Sequence, residues 1–221
     1  MTAPALLLGS LVLVAACGGG RGASPRPVPS AEQAFWDWFA AHATEAATIR
    51  TAREPVADQL ASALHRVDPQ LTFAIGSHPG GGHELVISAD GAKSAFPAVR
   101  RLVAAAPPVR GWRVTGFRPR GGADSVIQLG DGTQLGADSL RFRTVAERPR
   151  GQPLSIAVYV KGMKDPGNAA LEFAVYLFLD SLLGEYDVAM WLGEVDMQPD
   201  AAAPPDARPI RELSALVDAQ K

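Results

Sequence analysis

Twice along the chain, two runs with strand-type alternation are followed by a helical run and a third strand, an order that limits the architecture more than any single residue does. The first set is Leu71 to Ile75, His83 to Ala89, a helix opened by Ser94 with Phe96, Val99, Leu102, Val103 and Ala106 inward, and Trp112 to Phe117. The second is Leu140 to Val145, Leu154 to Val160, a helix from Ala169 to Leu183, and Asp187 to Val195. No residue-by-residue identity relates them, so the repeat is one of pattern. Two ββαβ-like halves predict an α+β fold: an antiparallel or mixed sheet with helices on one face. Between the halves, Asp131-Gly132 separates Val126 to Leu129 from Thr133 to Leu135, which reads as a small hairpin or, equally, as an ordered loop.

That sheet needs a cover, and the segment before it supplies one. Phe35-Trp36-Asp37-Trp38-Phe39 packs four aromatic side chains into five positions. At helical spacing Phe35, Trp36 and Phe39 share a face that Ala43 and Ala46 extend, while Trp38 lies off it. Ser30 with Gln33 three residues later offers a capping box for this helix, which runs to about Ile49. A second helical pattern has Glu54 and Pro55 in its first turn and Val56, Leu60, Leu64 and Val67 on one face, and Asp68-Pro69 stops it. This N-terminal aromatic helix pair is expected to close over the sheet. The alternative is that its aromatics face a membrane.

Composition supports one folded region of ordinary size. In 221 residues, 47% are hydrophobic and 20% charged, enough apolar material for a core. The 21 Lys and Arg nearly balance 23 Asp and Glu, so no basic face marks a nucleic-acid partner. The single cysteine, Cys17, excludes an internal disulfide and a cysteine-based zinc site.

The position of Cys17 is informative. No charge occurs in the first sixteen residues, and Ala5 to Val14 form an apolar run too short to span a bilayer. The run ends in Leu13-Val14-Ala15-Ala16-Cys17, which resembles the lipobox of bacterial lipoproteins, although Met1 to Pro4 lack the usual Lys or Arg. The resemblance implies removal of a 1–16 signal peptide, acylation of Cys17, and attachment to the cell membrane or outer membrane through the N-terminal lipid. Residues 17–29, rich in Gly and then Pro, form a tether. The folded domain is placed at 30–198, followed by a Pro/Ala linker and a short terminal helix over 199–221 with Ile210, Leu213, Leu216 and Val217 on one face. The remaining alternatives are an ordinary signal peptide, or a cytosolic protein whose apolar start is no signal.

Four blocks resemble an uncharacterised, lipoprotein-type bacterial family, a domain of unknown function. They are Phe35-Trp36-x-Trp38-Phe39, Ser88-Ala89-Asp90-Gly91, Ala106-Pro107 with Trp112 and Phe117-Arg118-Pro119-Arg120, and Leu183-Gly184-Glu185-Tyr186-Asp187. The resemblance covers about Ser30 to Gln198 and implies no activity.

Three constellations carry polar chemistry. His78, His83 and Glu84 are zinc-type ligands beside the glycine-rich Ser77 to Gly82 loop, but match no His-Glu-x-x-His spacing, and exposed histidines are common at such tips. Glu172, Tyr176 and Asp180 recur at i, i+4 and i+8 on an otherwise apolar helix, with Glu185 and Asp187 just past Gly184. They are either that helix's wet face or a cleft wall with carboxylates for binding or acid–base work. Arg113, Arg118, Arg120, Arg141, Arg143, Arg148 and Arg150 bias the middle of the chain toward anions or toward ion pairing on a solvated sheet. No nucleophile elbow, phosphate loop or cofactor motif occurs, so no cofactor is expected. The expectation is a lipid-anchored extracytoplasmic domain with a non-catalytic role in binding or envelope interaction, its small-molecule or protein partner unspecified. The alternative is a small hydrolase or metal-dependent enzyme using His83 and Glu84, or Glu172, Asp180 and Glu185.

Overall fold

The computed structural model describes residues 28–49, 54–130, 132–146 and 149–221. The 1–16 segment, Cys17 and the tether up to residue 27 lie outside them, as do Asp131 and Arg148. Among the described residues, six helices and nine strands give an α+β fold.

Helix α1 (Ala31–Ala46) begins where the Ser30 hydroxyl accepts the Gln33 N–H at 3.1 Å, satisfying one of the free first-turn donors. Phe35, Trp36, Phe39 and Ala46 are buried, the face their spacing predicts. Phe39 meets Trp112 edge-on at 5.0 Å, and Trp36 Nε1–H donates to the Leu102 carbonyl at 2.8 Å, so the buried indole is anchored as well as packed. Trp38 is half-buried, stacks on His42 at 4.5 Å and borders the same core, which places it with the lid. Helix α2 (Pro55–His65) adds Ala57, Leu60, Ala63 and Leu64.

These helices cover a three-stranded sheet of β1 (Thr72–Ser77), β2 (His83–Ser88) and β3 (Trp112–Gly116), in the order β1-β2-β3. β1 and β2 are antiparallel, and helix α3 (Phe96–Ala104) carries the chain across so that β3 runs parallel to β2. Ser94, expected as the cap of α3, lies instead in the short 3₁₀ turn before it and donates its hydroxyl to Gln70.

The second half repeats the order. A ribbon of β4 (Ile127–Gln128) and β5 (Gln134–Leu135) precedes β6 (Leu140–Thr144) and β7 (Leu154–Val160), which pair antiparallel. Helices α4 (Ala169–Leu183) and α5 (Glu185–Trp191) cross over to β8 (Leu192–Pro199), parallel to β7. The two ββαβ units are therefore observed, each with its own mixed sheet. They do not merge into one sheet. After β3, Phe117 takes a left-handed conformation at φ 63° and the chain continues into Arg118 to Arg120.

Two boundaries differ from expectation. The sequence predicts one strand over Asp187 to Val195, yet Glu185 to Trp191 is helical and the strand starts at Leu192. Gly184, at φ 86°, ends α4 and redirects the chain into a fresh helix with Glu185 and Asp187 in its first turn. Within 199–221 the expected short terminal helix is present, and it docks. β9 (Arg208–Pro209) pairs with β6, and Ile210 with Leu213 and Val217 of α6 (Leu213–Gln220) are buried in the second core, so the folded region extends beyond Gln198.

The two cores meet at α5. Tyr186 and Ala189, one turn apart, pack on the first, while Val188 and Trp191 pack on the second. Among the described residues no helix is long and apolar enough to cross a membrane.

Candidate functional site

At the junction, Glu185 is fully buried. Its Oε1 accepts the Ala89 N–H at 2.9 Å and the Gly91 N–H at 3.2 Å, and its Oε2 accepts the Arg118 N–H at 2.9 Å. All three donors lie just past the carboxyl ends of the parallel strands β2 and β3. Asp90 (φ 46°) and Gly91 (φ 77°) both turn left-handed there, and the turn aims the Ala89 and Gly91 N–H groups into one hollow, an arrangement suited to an anion, while the Asp90 N–H donates to Ser88 Oγ. Glu185 from the second half fills that seat.

Arg118 lies beside it. Its Nη1–H donates to Ser88 Oγ at 2.9 Å and to Asp90, and its Nε and Nη2 both donate to Asp180 Oδ2, at 3.2 and 2.6 Å. Burial opposes the guanidinium charge, but hydrogen bonds to Asp90 and Asp180 outweigh it and hold the Arg118 pKa above its ordinary value. Burial also lifts the Asp180 carboxyl above the usual range, and Arg118 offsets this only in part. Both shifts run upward because Arg118 has several carboxylates around it, whereas Asp180 is desolvated and, to a smaller extent, faces like charge from Glu185 and Asp90.

Above this network opens a cleft of about 500 Å³ between the halves. Asp90, Gly91, Lys93 and Arg118 form its first-half wall. The opposite wall and floor come from α4, α5 and β8, with Phe173, Tyr176, Leu177, Val188, Leu192 and Val195 supplying apolar surface. Phe173 is 65% exposed and Tyr176 44%, large aromatics that α4 turns away from its own core. Burial, and then the nearby Glu172 charge, raise the Tyr176 pKa, so its hydroxyl stays protonated as a donor at neutral pH.

The carboxylate stripe read from sequence is thus split. Tyr176 and Asp180 line the cleft, Glu172 borders a smaller adjoining hollow, and Glu185 is buried beneath as a tie. Asp187 belongs to a different cluster, accepting from Arg120 Nη2 at 2.8 Å and Lys221 Nζ at 2.7 Å. His83 and Glu84 open β2 and His78 lies in the loop before it, whereas the Glu185 seat follows the end of β2. Six residues at about 3.3 Å each separate the two sets by roughly 20 Å. Each is engaged locally: His78 Nδ1 accepts the Gly80 N–H, the His83 ring lies tilted against Trp112 at 5.0 Å, and Glu84 accepts from Thr115. Among the described residues no group of three His, Cys, Asp or Glu side chains is placed to hold a metal ion. Arg120, Arg141 and Arg143 are ion-paired with Asp187 and Asp218, Asp200, and Asp206, respectively. Cys17 lies outside the described residues.

Sequence reasoning passed over Phe173, Lys93 and the seat formed by Ala89, Gly91 and Arg118. The Ser88-Ala89-Asp90-Gly91 block carries no sign of the partner 94 to 96 positions away, and Phe173 is lost in a helix that is apolar on nearly every side. No protein-family model, curated protein or solved structure matches the chain.

Proposed function

We propose that the chain is a bacterial lipoprotein, anchored outside the cytoplasm through acylated Cys17, whose folded part binds a small ligand in the cleft between its halves. The anchor rests on Leu13-Val14-Ala15-Ala16-Cys17 and the Gly/Pro-rich segment after it. The binding role rests on one observation: Phe173 and Tyr176 stand exposed in a 500 Å³ cleft that also gathers Asp90, Lys93, Arg118 and Asp180. A cleft with an apolar wall and a few convergent polar groups has the make-up of a ligand site, and exposed aromatics there add nothing to the core. The hydrolase or metal-enzyme alternative draws less support, because the histidines lie at the far end of β2 and Asp180 and Glu185 are held by Arg118 and backbone donors.

The two parts are tested separately. Metabolic palmitate labelling of expressing cells is expected to mark the chain; Cys17→Ser is expected to abolish the label and block signal cleavage, and globomycin to block cleavage and leave a labelled, slower-migrating precursor. A Cys17→Ser chain with unchanged mobility and membrane recovery would remove the anchor. For the cleft, a fragment screen by amide NMR is expected to shift residues of α4 and β8 around Phe173, Tyr176 and Val195. Shifts confined to other surfaces would remove the binding site.

A further inference from the structure

Building on the cleft as a binding site, we infer that its ligand is an amphipathic cation: a flat apolar body carrying a primary ammonium or guanidinium group. The apolar body is specified by Phe173 and Tyr176, adjacent across one turn of α4, with Leu177, Val188, Leu192 and Val195 beneath. Two exposed rings over an aliphatic floor accept a planar group by stacking and dispersion contact.

The charge is specified by what is left unpaired. At the inner end, the carboxylates of Asp90, Asp180 and Glu185 surround one guanidinium, Arg118, and with Lys93 on the rim that end remains net negative. At the outer end a second hollow of about 250 Å³ shares Tyr176 and Val195 with the cleft and adds Glu172, Asp196 and Met197. No Lys or Arg lines it. Asp196 accepts one neutral hydrogen bond, from Gln198, and the Glu172 side chain has no hydrogen-bond or ion-pair partner among the described residues. Glu172 lies one turn before Tyr176 on α4, so a cation seated between Glu172 and Asp196 also lies beside the Tyr176 ring, where charge attraction and cation–π attraction act together. The inner carboxylates are already bonded to Arg118, so the cationic head belongs at the outer end and the apolar body runs inward toward Leu177 and Val188. An anionic head at the outer end would meet two carboxylates and no counter-charge.

The test uses three matched probes, 4-phenylbutylamine, 4-phenylbutanol and 4-phenylbutyrate, titrated into the full chain carrying Cys17→Ser and followed by amide NMR. The amine is expected to shift Glu172 to Leu177 and Leu192 to Asp196, and to bind about tenfold more tightly than the alcohol or the acid. The double variant Glu172→Gln/Asp196→Asn alters two groups that make no ion pair and is expected to retain the fold while losing that preference. If the alcohol or acid shifts the same residues with equal or greater affinity, the cation is overturned and the cleft stands as a site of another class. If none of the three shifts these residues at millimolar concentration, the cleft reading itself falls.

Discussion

The carboxylate of Glu185 accepts the backbone N–H of Arg118 at 2.9 Å while the backbone N–H of Glu185 donates to the Arg118 carbonyl at 3.0 Å, so the two residues exchange hydrogen bonds across the junction of the halves. With Ala89 and Gly91 on the other carboxylate oxygen, one side chain from the second half satisfies three donors of the first. Replacing Glu185 by Gln keeps the shape but turns an amide N–H toward a backbone N–H. Loss of about 2–3 kcal/mol is expected from the unsatisfied donor, and more for Ala, which also leaves a cavity. Urea unfolding followed by Trp fluorescence measures it. A change below about 0.5 kcal/mol, the ordinary range for a neutral surface substitution, would show that the seat does not hold the halves together.

Arg118 is the complementary element. Its planar fork reaches Ser88, Asp90 and Asp180 at once, which a single ammonium on a flexible stem does not reproduce. Arg118→Lys is expected to lower stability by about 1 kcal/mol, and Arg118→Met by about 2 kcal/mol, because the partly buried Asp180 is then left without a counter-charge. Adding Asp180→Asn to Arg118→Met should recover part of that loss. A double-mutant cycle on the two positions reads the coupling, and strict additivity would contradict the pairing.

Much of this framework was legible from spacing. The ββαβ order, the α1 stripe and the Ser30 cap follow from local periodicity and capping chemistry, which act within a few residues. The junction was not legible, because its partners are 62 to 96 positions apart and meet only after both sheets form. The pattern over Asp187 to Val195 reads as strand although α5 occupies its first part, because seven residues carry too few turns to reveal a period and each of the two apolar faces of α5 is only one turn long. The stripe of Glu172, Tyr176 and Asp180 was visible as a stripe, but only tertiary packing decides that Asp180 meets Arg118, that Glu172 stays unpaired, and that Phe173 between them faces solvent.

The acid limb of stability has a local source in α6. Asp218 accepts from Arg120 at 2.8 and 3.0 Å and from Lys221 at 3.0 Å, and these bonds hold its carboxyl well below the usual carboxylate range. A depressed folded-state pKa favours the folded state above the unfolded value near 3.9. That contribution is lost as pH falls below about 4 toward the folded value. Because Asp218 is half exposed, the effect is expected at about 1 kcal/mol or less. Asp218→Asn should lower stability at pH 6 by that amount and flatten its fall between about pH 4 and pH 2. Parallel pH profiles of wild type and variant by thermal melting would show the difference, and identical slopes would assign the acid limb to other groups.

The loop before β2 offers a paired test of backbone geometry. Gly81 (φ 91°) and Gly82 (φ 83°) are both left-handed, yet a Cβ on Gly81 meets nothing within 4 Å, whereas one on Gly82 would stand 2.5 Å from the Gly111 carbonyl oxygen. That oxygen is fixed, because it accepts the His83 N–H at 2.8 Å beside the β2–β3 pairing. Gly81→Ala therefore carries only the left-handed penalty, about 1 kcal/mol. Gly82→Ala carries the same penalty plus displacement of a ladder partner, and a total loss of about 3 kcal/mol is expected. Hydrogen exchange should locate the extra loss at His83 and Trp112 in Gly82→Ala and leave them protected in Gly81→Ala. Equal destabilisation by the two substitutions would mean that β3 approaches the loop less closely than the 2.8 Å bond implies.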